Sequence, residues 1–584
     1  MPCVKSFSVL CPYVLRDVLA QLPLQVPWRE YVPIAWQVDP CLALSLLDHF
    51  PASEPLRAAL ESMVVKHAAD TQVQALPKAT LLLATAKAAN RQSLLRYLSI
   101  WSPGNAAQGL QLLCGPAAGD PAVRSYAIKC LFNEPPEKLV FFLPQLVQLL
   151  RGDRDGAIQR FFFTAAAHSD LFAHQLIWAL NSEAKPPEEA FNPEVKRSGW
   201  QPPKDTGLWE ISARVKQQIE AQMTPQQKEY WAAEGGYFEQ VTNLSGYLYK
   251  FSKDERRVKL QEALAGFAPP RQDLYVPTNP EACVKRHIPS SGACMQSAAK
   301  VPILVAFDVE VPAPGAAPGL GPRVPAKVAC IFKVGDDIRQ DVLAIQVIKL
   351  LHSAFEAAGL GLYLRPYGCL PTGYECGIIE VRSGAEHQSR AALGELSDRG
   401  LHDIFSAEFG AAGSAAFERA RENFIVSEAA YAVASYLLQA KDRHNGNIML
   451  DDQGHIVHID FGFILEISPG GNMGFESAAF KLSHEMTQCS DPTQTWLPAA
   501  AAAAALQART VAEPIIATVS LMAESGLPCF SRGAPVANLR QRFHLEMGDA
   551  QAAAFMRSQI ADAYDKWTTG FYDYIQSLQN KIPY

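Results

Sequence analysis

The 584 residues lack a C-x-x-C pair, a surplus of positive charge, a long strongly apolar run and, over the first third, almost any strand-like alternation. Each absence excludes something. The twelve cysteines lie singly between Cys3 and Cys529, without the compact spacing of a zinc ribbon or a disulfide framework, and fit reduced, cytosolic thiols. A net charge of −7 supplies no basic stripe for wholesale nucleic-acid binding. A spanning helix needs about 20 apolar residues. The best uncharged run, 492–508, is mostly alanine and contains Pro498, so any membrane association is expected to be peripheral. Lys5 and the short apolar stretch to Leu15 lack a small-x-small cleavage site, which argues against a secretory leader.

What is present can bury large cores: 48% of residues are hydrophobic and 19% charged. The length predicts roughly three or four domains. Residues 1–25 match no pattern. Residues 26–183 read as helices broken at proline and glycine clusters, an irregular solenoid. Within it Leu139, Phe142, Leu143, Leu146, Val147 and Leu150 predict one apolar stripe on a helix kinked at Pro144. Prolines among charges over 184–206 mark a linker, and a helical connector is expected over 207–272. Strand composition then appears at 327–334, Leu362 to Leu364 and 378–381, with a loop rich in Pro, Gly and Ala over 312–325. A helical stripe from Ile425 to Tyr436 follows. The predicted class is α+β: a helical accessory domain, then two lobes over 273–384 and 385–584.

The chemistry is concentrated after Lys441. KDRHNGNIML at 441–450 and GHIVHIDFGF at 454–463 flank a turn signal, predicting a hairpin that brings Asp442, His444, Asn447 and Asp460 to one point. Protein kinases place a catalytic Asp five residues before a metal-binding Asn, with the Asp of D-F-G downstream. Asp442, Asn447 and Asp460-Phe461-Gly462 reproduce that spacing. The loop has the His after the Asp, and no G-x-G-x-x-G lies upstream, so the pattern is kinase-like without being that of an ordinary protein kinase. A single D-F-G or D-R-H would be commonplace; their order and spacing together are not. His455 and His458, three apart on a strand, would face opposite ways and do not suggest zinc.

IFKVGDDIRQD at 331–341, the DRHNGN loop and Asp460 to Gly462 together resemble the phosphatidylinositol 3-/4-kinase superfamily. SAAKVP at 297–302, 370–380, SPGGNM at 468–473, SGLPCF at 525–530 and the terminal Ile582-Pro583-Tyr584 look most like its type III alpha phosphatidylinositol 4-kinases, of plant or algal type. The resemblance covers the chain from about Asp120 onward and is to the C-terminal part of longer proteins, whose preceding helical scaffold recruits partners. It implies an accessory helical domain and a bilobal kinase using ATP with Mg²⁺ or Mn²⁺. It implies Lys333 on the nucleotide phosphates with Asp336 or Asp341 holding it, and Ser297 and Lys300 in a short phosphate loop. It further implies Ile379, Glu380 and Val381 as the adenine hinge, Tyr367 as a pocket aromatic, Asp442 and His444 as acid–base groups, and Asn447 and Asp460 as metal ligands. The implied partners are phosphatidylinositol in membranes and regulatory or scaffold proteins, at the cytosolic face of the plasma membrane.

The residues add a reason for that substrate. Between Phe463 and Met486 the charges are Glu466, Glu476, Lys481 and Glu485, too few cations to clamp several phosphates. Unphosphorylated phosphatidylinositol fits better than a bisphosphorylated lipid, while the choice of the 4-hydroxyl rests on the resemblance. Two alternatives stand beside it: a superfamily protein Ser/Thr kinase, and a kinase-like scaffold without turnover. The scaffold draws on 490–514, where the resemblance implies an amphipathic helix with aromatic anchors and the chain has seven alanines from Ala499 to Ala505, predicting an underfilled C-lobe core.

Overall fold

The computed structural model describes residues 27–50, 53–186, 206–295, 301–313, 315, 321–381, 387–389, 400–469, 479–490 and 495–564. The expectations for residues 1–25, most of the 184–206 linker, Ser297, Lys300, 470–473 and the terminal tripeptide lie outside these. From Trp28 to Ser182 the chain is a succession of short helices sharing one core. The stripe from Leu139 to Leu150 is buried except at half-buried Phe142, but it is not one kinked helix. It divides into Pro136–Leu139, a tight turn at Val140–Phe142, Leu143–Gln148 and a second tight turn at Leu149–Gly152. Pro144 lacks an N–H to give, so it starts a new helix instead of interrupting an old one. The last helix of the run, α1 (Asp170–Ser182), is almost wholly buried and leads toward the second half of the molecule.

Next come α2 (Gly207–Gln222), α3 (Pro225–Leu248) and α4 (Lys253–Ala265). The first returns to the accessory core through Leu208, Val215 and Ile219. The other two cover a sheet. Its six antiparallel strands, β1 (Tyr275–Val276), β2 (Asn279–Cys294), β3 (Ile303–Pro312), β4 (Arg323–Val334), β5 (Cys369–Gly373) and β6 (Cys376–Val381), run in the order β1-β2-β3-β4-β6-β5. Along β3, Ile303, Val305, Phe307 and Val309 alternate inward, and they meet Phe238, Val241, Leu260 and Leu264 of α3 and α4.

Between β4 and β5 lies α5 (Arg339–Ala357), whose apolar face joins the core of the other lobe. Gly377 permits that placement, because a Cβ there would collide with Ile338 just before α5. The expected strand at Leu362 to Leu364 is absent. This stretch is irregular and Tyr363 N–H donates to the carbonyl of Val426, so its apolar side chains are buried against a helix and not in the sheet.

The C-lobe is built on α6 (Ala415–Leu438), capped by Ser414 and ended by Gln439 in the left-handed region. Behind it β7 (His387–Ser389), β8 (Ile448–Asp451) and β9 (Ile456–His458) form a small sheet, in which the expected hairpin pairs Ile448 with His458 and Leu450 with Ile456. His455 stacks on Tyr363 and bonds to Asp451, whereas His458 stacks on Tyr431. Among the other helices of the lobe are α7 (Trp496–Thr510), α8 (Ala512–Leu521) and α9 (Asp549–Ala563). The alanines of α7 do not leave the lobe hollow. Ala501, Ala504 and Ala508 are at most 1% exposed, since α7 packs directly on α6 and α9, and the space left beside Ala505 and Ala508 is about 20 Å³. Small side chains here bring helices closer.

Candidate active site

Three elements converge. The end of α6 delivers the chain into the Lys441 to Asn447 loop, the β8–β9 hairpin returns it to Asp460, and the end of β4 with the start of α5 closes the third side. Lys441 N–H bonds the carbonyl of Phe463 at 2.9 Å and Ile459 N–H that of Asn447 at 3.1 Å, so the loop and the Asp460-Phe461-Gly462 turn are laced together. Asp442 and Asp460 both take positive φ, 63° and 60°. Non-glycine residues held in this region are strained, and two carboxylates so held at one point mark a site shaped for function and not for local stability.

Within the loop the Asn447 carboxamide donates to the carbonyl of Asp442 at 3.0 Å, and among the described residues no donor meets its Oδ1. Gly446 N–H donates to His444 Nδ1 at 3.0 Å, while His444 Nε2 stands 4.0 Å from Asp442 Oδ1. Two groups not foreseen from sequence brace the loop. The buried Arg443 guanidinium reaches the carbonyls of Lys441, Ile459 and Asp460 and lies over the Phe461 ring. Buried Gln340 on α5 donates to the carbonyl of Gly462 at 2.7 Å and accepts from Cys529 N–H at 2.7 Å, tying the 525–530 segment to the turn. Gln340 lay inside the 331–341 run, but nothing local told that its partners are 122 and 189 residues away.

Lys333, near the end of β4, points into the same space. Its nearest described carboxylate is Asp336, at 3.9 Å, which is about half exposed. Asp341 is 4% exposed and accepts from Phe461 N–H at 2.9 Å. Asp341 therefore orients the turn as well as facing the lysine. The electrostatics follow from this crowding. Burial would depress Lys333, but Asp460, Asp341 and Asp336 outweigh it and hold the ammonium above its ordinary value. Burial and the neighbouring Asp460 push the Asp341 carboxyl up, to about 6. Asp460, on the exposed side of the turn, is held low by Lys333 and Arg443.

The remaining expected residues lie on and beside the neighbouring sheet, on β6 and just before β5. Ile379, Glu380 and Val381 pair in register with Ile331, Cys330 and Ala329, and Glu380 N–H also bonds the carbonyl of Gly368. Tyr367 is half-buried and packs against the C-lobe core. The described residues thus bring together Lys333, Asp341, Asp442, His444, Asn447 and Asp460. Asp336 sits at the rim. No helix among the described residues is long and apolar enough to cross a membrane.

Comparison with known proteins gives the family. A family model described as phosphatidylinositol 3- and 4-kinase matches residues 327–532, and one described as the phosphoinositide 3-kinase family accessory (PIK) domain matches residues 53–201. The chain is 46% identical over 563 residues to phosphatidylinositol 4-kinase alpha 1 of Arabidopsis thaliana, covering 95% of this chain and 27% of that protein. It is 48% identical over 432 residues to phosphatidylinositol 4-kinase alpha 2 of the same plant, covering 73% and 78%. It is 34% identical over 563 residues to phosphatidylinositol 4-kinase STT4 of Saccharomyces cerevisiae, covering 95% and 29%. The chain therefore spans between a quarter and a third of two of these relatives and over three quarters of the other.

Proposed function

We propose, from the premise that this chain belongs to the phosphatidylinositol 3- and 4-kinase family, that it transfers the γ-phosphate of ATP to the 4-hydroxyl of phosphatidylinositol. The observation that carries the reading is the convergence of Lys333, Asp341, Asp460 and the Asp442 to Asn447 loop in one place. Lys333 meets the nucleotide phosphates, with Ser297 and Lys300 as a phosphate loop by resemblance. Ile379 to Val381 take the adenine and Tyr367 lines its pocket. Asp336 and Asp341 keep Lys333 charged.

The residues present fit a hard divalent cation. Asp460 and Asp341 are neighbouring, repelling carboxylates, and Asn447 has an oxygen that meets no donor among the described residues, an all-oxygen set. Asp460 and Asn447 would hold Mg²⁺, which when bound draws charge from the β- and γ-phosphate oxygens. His444 and Asp442 divide the proton work. Because Nδ1 accepts from Gly446 N–H, the neutral imidazole carries its proton on Nε2 and is set to donate. Asp442 is then the acceptor for the inositol hydroxyl proton, and His444 donates to charge developing on the transferred group. The domain division follows: an accessory domain over 26–183, a linker over 184–206, a connector over 207–272, and lobes over 273–384 and 385–584. The chain acts at the cytosolic face of a membrane, the plasma membrane by resemblance, with regulatory or scaffold partners.

The test is ATP-dependent phosphorylation of phosphatidylinositol vesicles by the purified chain, with the product's phosphate position determined. Position-4 product lost in Asp460→Asn supports the reading. Absence of lipid product from folded, nucleotide-binding protein overturns it.

A further inference from the structure

Lys481 is the one Lys or Arg between Phe463 and Met486, which by sequence alone would allow it to meet a lipid phosphate. Its surroundings point elsewhere. The residue is 5% exposed, and its ammonium donates to Asn445 Oδ1 at 2.9 Å, inside the loop between Asp442 and Asn447. Glu428 of α6 is 2% exposed, its Oε2 has no hydrogen-bond partner among the described residues, and Lys481 is the charge acting on it. His458 of β9, 3% exposed, is a further buried group that feels both Lys481 and Arg443. The loop is thus braced from two sides, by Arg443 reaching toward Asp460 and by Lys481 arriving from beyond the turn.

We infer that Lys481 is a positioning residue: its buried ammonium pins Asn445 and so keeps Asp442 and Asn447 in their working geometry. It does not contact the substrate. The inference rests on the kinase reading and sharpens it, because the stretch from Phe463 to Met486 then has no Lys or Arg left for a headgroup phosphate. An inositol ring without further phosphates is the substrate such a surface accepts.

The test compares Lys481→Arg, Lys481→Met and the pair Lys481→Met with Glu428→Gln, which removes the carboxyl that the lost ammonium would strand in the core. For the folded double variant, kcat on phosphatidylinositol vesicles is expected to fall on the order of 10- to 100-fold, the scale of misplacing a catalytic group. KM for ATP and for phosphatidylinositol should each stay within about twofold, the signature of an interaction lost from the transition state alone. Lys481→Arg should restore part of the rate. Hydrogen–deuterium exchange over residues 440–450 should rise in the Met variants and not in the Arg variant. A wild-type rate in the double variant, or a loss appearing as raised KM for the lipid, overturns the proposal. So does unchanged exchange, a readout that holds even if the wild-type chain makes no lipid product and the kinase reading itself fails.

Discussion

Two clusters of charge sit two residues apart at the start of α5 and are built to opposite ends. In one, Arg339 bonds Asp337 at 2.7 and 2.9 Å and Glu183, just beyond α1, at 2.8 Å, joining the accessory domain to the N-lobe. In the other, Asp341 and Asp460 crowd each other, and the nearest carboxylate to Lys333 is Asp336 at 3.9 Å. Two aspartates four positions apart therefore move in opposite directions. At Asp337 the guanidinium outweighs burial and lowers the carboxyl, whereas at Asp341 burial and Asp460 raise it. Glu183, with a single bond to the same guanidinium, is raised because burial wins there. A satisfied cluster docks domains, and an unsatisfied one stores repulsion that a ligand relieves.

The largest expected effect comes from the unsatisfied cluster. Asp460→Asn should cut lipid phosphorylation on the order of 10³-fold. The melting temperature should change little, since Asp341 loses a repelling neighbour while Lys333 and Arg443 lose a partner, and asparagine tolerates the left-handed backbone. A large loss of stability would erase the contrast. The satisfied cluster should behave in reverse. Arg339→Met, which strands two carboxylates, should destabilise by about 3–5 kcal/mol in urea unfolding, more than either Glu183→Gln or Asp337→Asn, because stranding a buried charge costs more than losing a bond. Equal effects of the three would show that the triad does not act as a unit.

How much of this was legible depended on distance along the chain. Asp442, Asn447 and Asp460 could be brought together from sequence because a short hairpin, with Asp451 and Gly454 at its turn, does the folding locally. Gln340, Arg443 and Lys481 could not, since their roles lie in partners 16 to 189 residues away. Leu362 to Leu364 had strand composition but is held against a helix through Tyr363 and the Val426 carbonyl, and Pro144 broke a pattern whose apolar spacing ran straight through it. Composition identified buried residues there and mistook the elements that bury them.

A third contrast lies in pH. Burial raises Glu234 to about 8, beside His174 at 3.3 Å, which burial lowers to about 4. With its carboxyl raised on folding, Glu234 contributes stability that is full below the unfolded value and is lost as pH rises toward 8, at no more than about 1.4 kcal/mol per unit. His174, lowered on folding, works the other way and lets stability rise between about 4 and 6.5. Glu234→Gln should therefore flatten the fall in melting temperature between pH 6 and 8, leaving the part due to Glu428, which burial also raises to about 8. An unaltered slope would locate the protons elsewhere.

The smallest effects belong to α7. Ala504→Leu, at a position with no exposure, should cost about 1–3 kcal/mol from overpacking. Ala505→Val, beside the 20 Å³ space, should change stability by less than about 1 kcal/mol. A stabilising Ala504→Leu would restore the idea of an underfilled lobe.

The crowding of Asp341 and Asp460 beside Lys333 is tested most directly by calorimetric titration of the purified chain with a non-hydrolysable ATP analogue, with and without Mg²⁺. Wild-type protein should bind at least about tenfold more tightly with the metal, a difference of about 1.4 kcal/mol, and Asp460→Asn should lose that dependence. Equal affinity in the two conditions, or a metal dependence retained by Asp460→Asn, would show that these carboxylates are not where nucleotide and cation meet.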